Sequence, residues 1–313
     1  MNNIEEKRYW IWLSLIPNLG VKRKQILLEK YKDVKNIYNA SKEELLKTNG
    51  IGEKLVEAIL NLKIRKSVNK HLKYLQENDI DVISITDKEY PKILKKIYDP
   101  PISLYIRGNK EILNEKSIAI VGCRDATTYG KKAAKYFAYN LAKEGFNIVS
   151  GLARGIDSYS HIGCIVADRE ERDKIRNITN VTNSNINVKS NIGKTIAVLG
   201  NGLDTIYPTE NKYLAQEIIK KGGAIISEYP LGTKPEKMNF PARNRIVSGL
   251  AKGLIVVEAK EKSGTLITVD FALEQGKDVY VVPGNINETT SVGTNELIKQ
   301  GAKLVSTYMD ILE

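Results

Sequence analysis

Two arginines stand where a helix usually carries carboxylates. In the stretch NFPARNRIVSGL, residues 239–250, Pro241 suits the first position of a helix, and the apolar run to Leu250 continues it. Arg243 and Arg245 would then lie in the first turn, at the positive end of the helix dipole, where a cation is unfavourable. The pattern predicts that an anion binds there. Because residues two apart are separated by roughly 200° around a helix, we expect Arg243 to meet the anion and Arg245 to brace the loop.

Other turns combine small residues, which let a backbone approach a phosphate, with a following helix N-terminus, which attracts one. VSGLARGIDSYSH carries Ser150 and Gly151, and EKSGTLITVD carries Ser263, Gly264 and Thr265. Further cations in such turns are Arg124, Arg154 and Lys237, and Phe240 is the aromatic residue placed to stack on a base. The alternative is that each arginine pairs with a nearby carboxylate such as Asp125 or Asp157. Several cations on one edge favour an anion site.

The elements that would position these turns are six short, continuously apolar runs, typical of parallel strands buried on both faces. They are SIAIVG, FNIVSG, TIAVLG, GAIISEY, GLIVVEA and DVYVVPG. Helical stretches lie between them, so the pattern predicts an α/β fold with a doubly wound, mostly parallel sheet. Ligands of such sheets bind beyond the carboxyl ends of the strands, where these turns would meet.

A small all-α domain is predicted over residues 1–68, ahead of an α/β domain over residues 69–313. The first domain contains SKEELL, a capping box from Ser41 to Glu44, and TNGIGEKLVEAIL, a glycine turn similar to a helix-hairpin-helix module. In that module Gly50, Gly52 and Lys54 are candidates for a secondary DNA contact. Residues 70–115 are interpreted as a connector with one strand, DVISI, and a proline-rich turn, YDPPISLYIRG. Residues 168–193, rich in Asn and charge, are interpreted as a mobile surface insertion.

Composition narrows the function classes. The net charge is +11, and residues 1–70 carry 15 Lys and Arg against 8 Asp and Glu, which suits an acidic partner or a solvated lysine-rich surface. Two cysteines give no disulfide framework, and two histidines leave little material for catalysis or a metal site. We expect no membrane span and no signal peptide, hence a cytoplasmic location.

Known nucleotide motifs are missing. No G-x-G-x-x-G follows the first predicted strand, and the GKT at 193–195 lacks the first glycine of a Walker A loop because Val188 stands there. We therefore expect no catalytic residues, no cofactor and no metal.

Long motifs resemble the DNA-processing protein A (DprA/Smf) family. They are GCRDATTYG, VSGLARGIDSYSH, TIAVLGNGLDTIYPTEN, ISEYPLGTKPEKMNFPARNRIVSGL, SGTLITVDFALEQGKDVYVVPG and GTNELIKQGAKLV. The resemblance covers residues 70–313 apart from 168–193, and it includes the helical domain as a helix-hairpin-helix/SAM-like one. It implies an extended Rossmann-like fold that binds single-stranded DNA without catalysis and loads RecA recombinase onto incoming strands, protecting them, during DNA uptake and natural transformation. It also implies a homodimer. We expect no C-terminal winged helix, which many members carry, within residues 1–313.

The resemblance also implies the binding residues. The DNA pocket would comprise Gly122, Arg124, Ser150, Gly151, Lys237, Asn239, Phe240, Arg243, Asn244, Arg245, Ser263, Gly264 and Thr265. Leu297 and Ile298 are candidates for the dimer contact. One alternative is a nucleotide-binding protein or nucleoside-phosphate hydrolase of the lysine-decarboxylase-like Rossmann group, in which Glu274 would act in catalysis. Another is a protein-interaction platform with a vestigial pocket.

Overall fold

The structure of the chain, a computed structural model, describes residues 4–179 and 191–313. Its strands are β1 Ile80–Ser84, β2 Ser103–Gly108, β3 Ser117–Val121, β4 Asn147–Ser150, β5 Thr195–Val198, β6 Ala224–Ser227, β7 Gly253–Val256, β8 Asp278–Val281 and β9 Lys303–Leu304. Its α-helices are α1 Ile4–Leu15, α2 Val21–Tyr31, α3 Val34–Asn39, α4 Lys42–Leu46, α5 Glu53–Ile59, α6 Leu62–Glu77, α7 Thr128–Lys143, α8 Ile156–Thr179, α9 Lys212–Lys220, α10 Asn239–Gly249, α11 Gly264–Glu274 and α12 Val292–Lys299. In the described ranges, no helix is long and apolar enough to cross a membrane.

The described strands form one sheet in the order β1-β2-β6-β5-β4-β3-β7-β8-β9. β1 and β2 are antiparallel to each other, β2 is antiparallel to β6, and the remaining neighbours are parallel. The six predicted strands are confirmed as β3 to β8. β2 lies in YDPPISLYIRG, which we interpreted as a turn. That interpretation was wrong, because the prolines end at Pro101 and leave an apolar run free to pair with β6.

Alternate residues of the parallel strands face opposite layers of helix, as a period of two requires. Ile118, Ile120 and Ile148 pack in the core cluster that contains α7 and α8 residues. Ala119 and Val121 pack in the cluster that contains α10 and α11 residues. This two-sided burial confirms the doubly wound α/β fold.

The chain order creates a topological switch point beside β3. From β3 the chain proceeds to β4, β5 and β6 on one side, and β7 then returns to pair with the other side of β3. Two crevices at the carboxyl edge of the sheet result, one beyond β3 to β6 and one between β3 and β7.

The N-terminal helices pack directly on this sheet. Trp12 of α1 is fully buried in a cluster that also holds Tyr105 of β2 and Ala197 of β5. The Ser14 and Tyr105 hydroxyls are hydrogen-bonded at 2.6 Å. The predicted capping box at Ser41 is confirmed, with both of its hydrogen bonds present. Residue 68, our predicted domain boundary, lies inside α6, and the two-domain division stays a prediction.

The predicted insertion at residues 168–193 is partly helical. Residues 168–179 continue α8, and residues 180–190 lie outside the described ranges. Asp168 is buried and accepts hydrogen bonds from Arg172 at 2.7 Å and from Lys194, just beyond the predicted insertion, at 2.5 Å. The interpretation as a mobile surface segment is therefore wrong at residue 168, because a buried ion pair anchors it.

Candidate functional site

The helix that carries the two arginines begins earlier than predicted. α10 starts at Asn239, so Pro241 is its third residue and Arg243 and Arg245 lie in the second turn. A proline is tolerated there because the first N–H groups of a helix have no partner inside it. Our prediction of the first turn was wrong by two residues. The two side chains still leave the helix in different directions.

Arg243 points into the protein beneath the edge of the sheet. Its side chain is buried, and Nη1 donates to the carbonyls of Gly151, at 2.6 Å, and Val198. A Cβ at Gly151 would overlap the guanidinium, so the absence of a side chain there permits the contact. Burial lowers the pKa of Arg243 to about 10, opposed by the buried carboxylate of Asp157. Arg243 therefore stays cationic at neutral pH.

The loop after β4 is held rigidly around this arginine. Leu152 has a φ of 56°, a left-handed conformation that is strained for a leucine. The Asp157 carboxylate accepts hydrogen bonds from the backbone N–H groups of Gly151 and Ala153. The Asn211 amide donates to the Leu152 carbonyl at 2.8 Å. The strained backbone is thus fixed in place before any ligand arrives.

Arg245 is paired with carboxylates on the other side of α10. Its Nε lies 3.0 Å from Asp99 and its Nη1 2.5 Å from Glu228, and its side chain is only 4% exposed. These carboxylates raise its pKa above the ordinary value although burial acts in the opposite direction. The expected bracing arginine is therefore found, and its guanidinium is occupied by carboxylates, so we do not retain Arg245 as a DNA contact.

A cavity of about 100 Å³ opens above Arg243 at the carboxyl edge. Cavities of roughly this size hold one small group, since about 150 Å³ is enough for benzene. The residues that line it are Arg124, Gly151, Ala153, Arg154, Tyr207, Pro208, Phe240 and Arg243.

Phe240 is half-buried and forms the aromatic wall of this cavity. Its ring lies 5.5 Å from the Tyr207 ring, centroid to centroid, and the Arg124 guanidinium carbon lies 5.4 Å from its centroid. A Cβ at Gly200 would contact the Phe240 ring at 3.0 Å, so the ring rests on bare backbone. Exposed Arg124 thus adds a charge beside an aromatic face, a combination that suits a phosphate and its base.

The structure brings some of the other predicted residues to this cavity and separates others. Lys237 is exposed and Asn239 half-buried at the start of α10. The place of Ser150 in the pocket stays a prediction that only its backbone could fulfil. Its hydroxyl is buried and donates to the Ile120 carbonyl at 2.6 Å. The reason is that Ser150 ends β4 rather than occupying the turn.

The remaining members are not among the residues that line the cavity. Gly122 is enclosed by Ile156 and the Glu258 carbonyl. Ser263, Gly264 and Thr265 begin α11, where Ser263 accepts a hydrogen bond from the Thr265 N–H, and they adjoin Asn244 rather than Phe240.

The sequence analysis did not identify two residues that line the cavity, and it counted as available one arginine that is paired with a carboxylate. Tyr207 and Pro208 line the cavity, and the Tyr-Pro pair in TIAVLGNGLDTIYPTEN was the available signal. Arg154 also lines the cavity, but its Nε is paired with Glu210. For this residue the alternative given above, that an arginine simply pairs with a nearby carboxylate, applies.

The crevice between β3 and β7 contains a second cavity of about 610 Å³. Here the buried carboxylate of Glu258 accepts hydrogen bonds from the Thr127 N–H at 3.0 Å and from its hydroxyl at 2.5 Å. Thr127 caps α7, and a Cβ at Gly130 would overlap the same carboxylate. An internal anion therefore occupies the helix N-terminus at the switch point, where doubly wound proteins usually bind a phosphate.

The weaker candidates lie elsewhere. Gly50, with a φ of 74°, and Gly52 form an exposed turn before α5, and Lys54 is exposed. Leu297 and Ile298 are half-buried on α12. Glu274 is exposed and ends α11, about 15 Å along the helix from Gly264. Residues 4–179 and 191–313 contain no group of three His, Cys, Asp or Glu side chains that could hold a metal ion.

The fold and the cavity define a Rossmann-like α/β protein with a preformed, cationic and aromatic site at the carboxyl edge of its sheet. The family model of DNA recombination-mediator protein A matches residues 81–313, and a SAM-like helix-hairpin-helix tandem model matches residues 13–66. The DNA processing protein DprA of Bacillus subtilis is 42% identical over 239 residues, 76% of this chain and 72% of that protein. The chain belongs to the DNA recombination-mediator protein A family, and the resemblance found in its motifs is confirmed.

Two solved structures are similar to the whole chain or to most of it. DprA from Streptococcus pneumoniae has a TM-score of 0.74 at 32% identity, covering 97% of this chain and 96% of that one. DprA from Helicobacter pylori has a TM-score of 0.60 at 31% identity, covering 74% of this chain and 94% of that one. The second structure addresses the single-stranded DNA binding mode of the H. pylori protein.

Proposed function

We propose that the chain binds single-stranded DNA at the cavity above Arg243, without catalysing a reaction. The observation that carries the proposal is the juxtaposition of Phe240, half-buried and facing the cavity, with Arg124 and the buried Arg243. A phosphate would lie against the cations, and the adjoining base would stack on Phe240. Membership of the family, and the single-strand binding of the H. pylori relative, support the same ligand.

The chemistry favours single strands over duplex. In a duplex both faces of each base are covered by neighbours, whereas a single strand can offer a face to Phe240. Stacking of this kind is worth roughly 1–3 kcal/mol per base and tolerates any base. The cations add an electrostatic component that weakens as salt rises, because counterions are released from the strand on binding. Binding should therefore be tolerant of sequence and sensitive to salt.

The same proposal extends to the cellular role. We infer that the protein protects incoming strands during DNA uptake and natural transformation and loads RecA recombinase onto them, in the cytoplasm and as a homodimer. Family membership supports this role. Loading is tested by adding the protein to RecA and a strand already covered by single-strand-binding protein, and by following RecA ATP hydrolysis. An unchanged lag before hydrolysis would contradict the loading role.

The dimer contact is proposed on the C-terminal segment. Leu297 and Ile298 are half-buried, and Val292, Leu304, Met309 and Leu312 are exposed apolar side chains on the same segment. Light scattering on Leu304→Asp tests the contact, because a charge at the interface should yield monomers. A wild-type protein that is monomeric at all concentrations would refute the dimer.

Binding itself is tested by fluorescence anisotropy with a labelled poly-dT strand of about 35 nucleotides. Wild type, Arg124→Ala and the matched control Arg169→Ala, an exposed arginine on α8, are titrated over a salt series. Loss of Arg124 should weaken binding and reduce the salt slope by about 0.7, the value for one phosphate of a single strand. The control should bind as wild type does. If wild type ignores DNA, the proposal fails, and small nucleotides become the next candidates for the anion.

A further inference from the structure

A second cationic surface lies on α2. Its first turn carries Lys22, Arg23 and Lys24 and no acidic residue, and its N-cap, Gly20, provides no side-chain cap. Three cations at the positive end of a helix dipole are unfavourable for the helix itself. Lys22 and Arg23 are exposed, so these charges are available to an external anion.

An exposed aromatic ring stands beside these charges. Tyr98 is 83% exposed, and the Lys22 ammonium lies 4.7 Å from the centroid of its ring. A single exposed aromatic residue is common on protein surfaces and needs no explanation. An exposed ring in contact with an exposed cation, however, repeats the chemistry of Phe240 and Arg124 in the cavity.

The structure connects this surface to the wall of the cavity. Asp99, next to Tyr98, pairs with Arg245 of α10, and Arg245 also pairs with Glu228. On α2 itself, the Gln25 amide donates to the Pro100 carbonyl at 3.4 Å, in the same loop as Tyr98 and Asp99. α2 is therefore joined to the loop of residues 98–100, and Asp99 of that loop reaches Arg245 on the helix that carries Phe240.

We propose that a single strand leaving the cavity continues over this surface, with a base stacked on Tyr98 and phosphates on Lys22 and Arg23. The inference rests on the proposed single-strand binding and adds a second contact to it. The positive charges of Lys22 and Arg23 favour a polyanion as the ligand, and the exposed ring of Tyr98 favours one with unpaired bases. The helical domain thus lengthens the binding site of the α/β domain.

Strand length separates the two contacts. An oligo-dT of about two nucleotides, which offers one phosphate and its bases, should contact the cavity alone, and one of about 20 should reach both contacts. Tyr98→Ala should leave the Kd of the short strand unchanged and raise that of the long one roughly five- to 150-fold, whereas Tyr98→Phe should bind as wild type does. Lys22→Ala should reduce the salt slope of the long strand by about 0.7. Lys143→Ala is the matched control, since Lys143 is an exposed lysine over Tyr139 at the opposite edge of the sheet.

The outcomes are distinguishable. If Tyr98→Ala and Lys22→Ala bind the long strand as wild type does while Phe240→Leu does not, the extended path is wrong and the proposed function stands. If the control loses as much affinity as Lys22→Ala, general charge explains the binding and the path is wrong. If wild type binds neither strand, both proposals fail. If Tyr98→Ala and Lys22→Ala lose binding to an acidic protein but keep the wild-type Kd for the long strand, the surface serves a protein partner and the proposed path is wrong.

Discussion

Replacing Arg243 by methionine should lower the free energy of unfolding, because this arginine is buried and hydrogen-bonded inside the protein. A loss of DNA binding in this variant could therefore reflect lost stability. The substitution removes the donor to the carbonyls of Gly151 and Val198 and the cation that faces the buried carboxylate of Asp157. Removal of one member of a buried charged group costs about 3–5 kcal/mol, because the remaining charge stays desolvated. At about 2.1 cal/mol/K of unfolding entropy per residue, a chain of 313 residues loses about 1.5 °C of Tm for each kcal/mol, so the expected shift is about 5–8 °C.

Urea unfolding and thermal unfolding, each followed by circular dichroism, measure this loss. Arg124→Ala is the matched control, since Arg124 is exposed and its removal should change stability by at most about 0.5 kcal/mol. Adding Asp157→Asn to Arg243→Met should restore part of the stability, since it removes the carboxylate that has lost its counter-charge. An Arg243→Met variant with the wild-type unfolding midpoint would refute the reasoning, because the guanidinium would then act on a ligand alone.

Three further predictions concern the aromatic wall, the bracing ion pair and the buried histidine. Phe240→Leu should raise the Kd for oligo-dT roughly five- to 150-fold in anisotropy titrations at an unchanged salt slope; a changed slope would mean that the ring acts by positioning charges. Arg245→Met should cost about 3–5 kcal/mol in urea unfolding, and Glu228→Gln added to it should recover much of that loss; no recovery would argue against a coupled pair. Burial lowers the pKa of His161 to about 3 from an ordinary 6.5, so between these values the unfolded chain takes up a proton that the folded chain does not. Stability should therefore fall as pH drops below 6.5, by up to about 1.4 kcal/mol per unit, and this fall should be absent in His161→Gln.

The sheet could be predicted from the sequence because buried parallel strands are continuous apolar runs. β3 to β8 needed no tertiary information to be recognised. β2 escaped recognition because its pairing with β6 is antiparallel and far apart in sequence, and the preceding prolines indicated a turn. The start of α10 was misplaced because proline is compatible with several positions of a first turn, and only the packed structure selects one.

The sequence predicted which types of residue form the site, but it did not predict how most of them are arranged. Spacing alone separated Arg243 from Arg245 around the helix. It could not show that Arg243 is itself buried, which depends on the approach of the loop containing Gly151. Nor could it bring Tyr207 to Phe240, since 32 residues, including a strand, lie between them and their contact arises from neighbouring strands.

Glu258 supplies the crevice between β3 and β7 with an anion of the protein's own. Its carboxylate, bound to Thr127 at the start of α7, fills the position that a cofactor phosphate would need in that crevice. A dinucleotide that placed its phosphate there would first have to displace the Glu258 carboxylate, which is part of the chain and so is always present. The glutamate therefore depends on the glycine at position 130, because any side chain at Gly130 would overlap the Glu258 carboxylate.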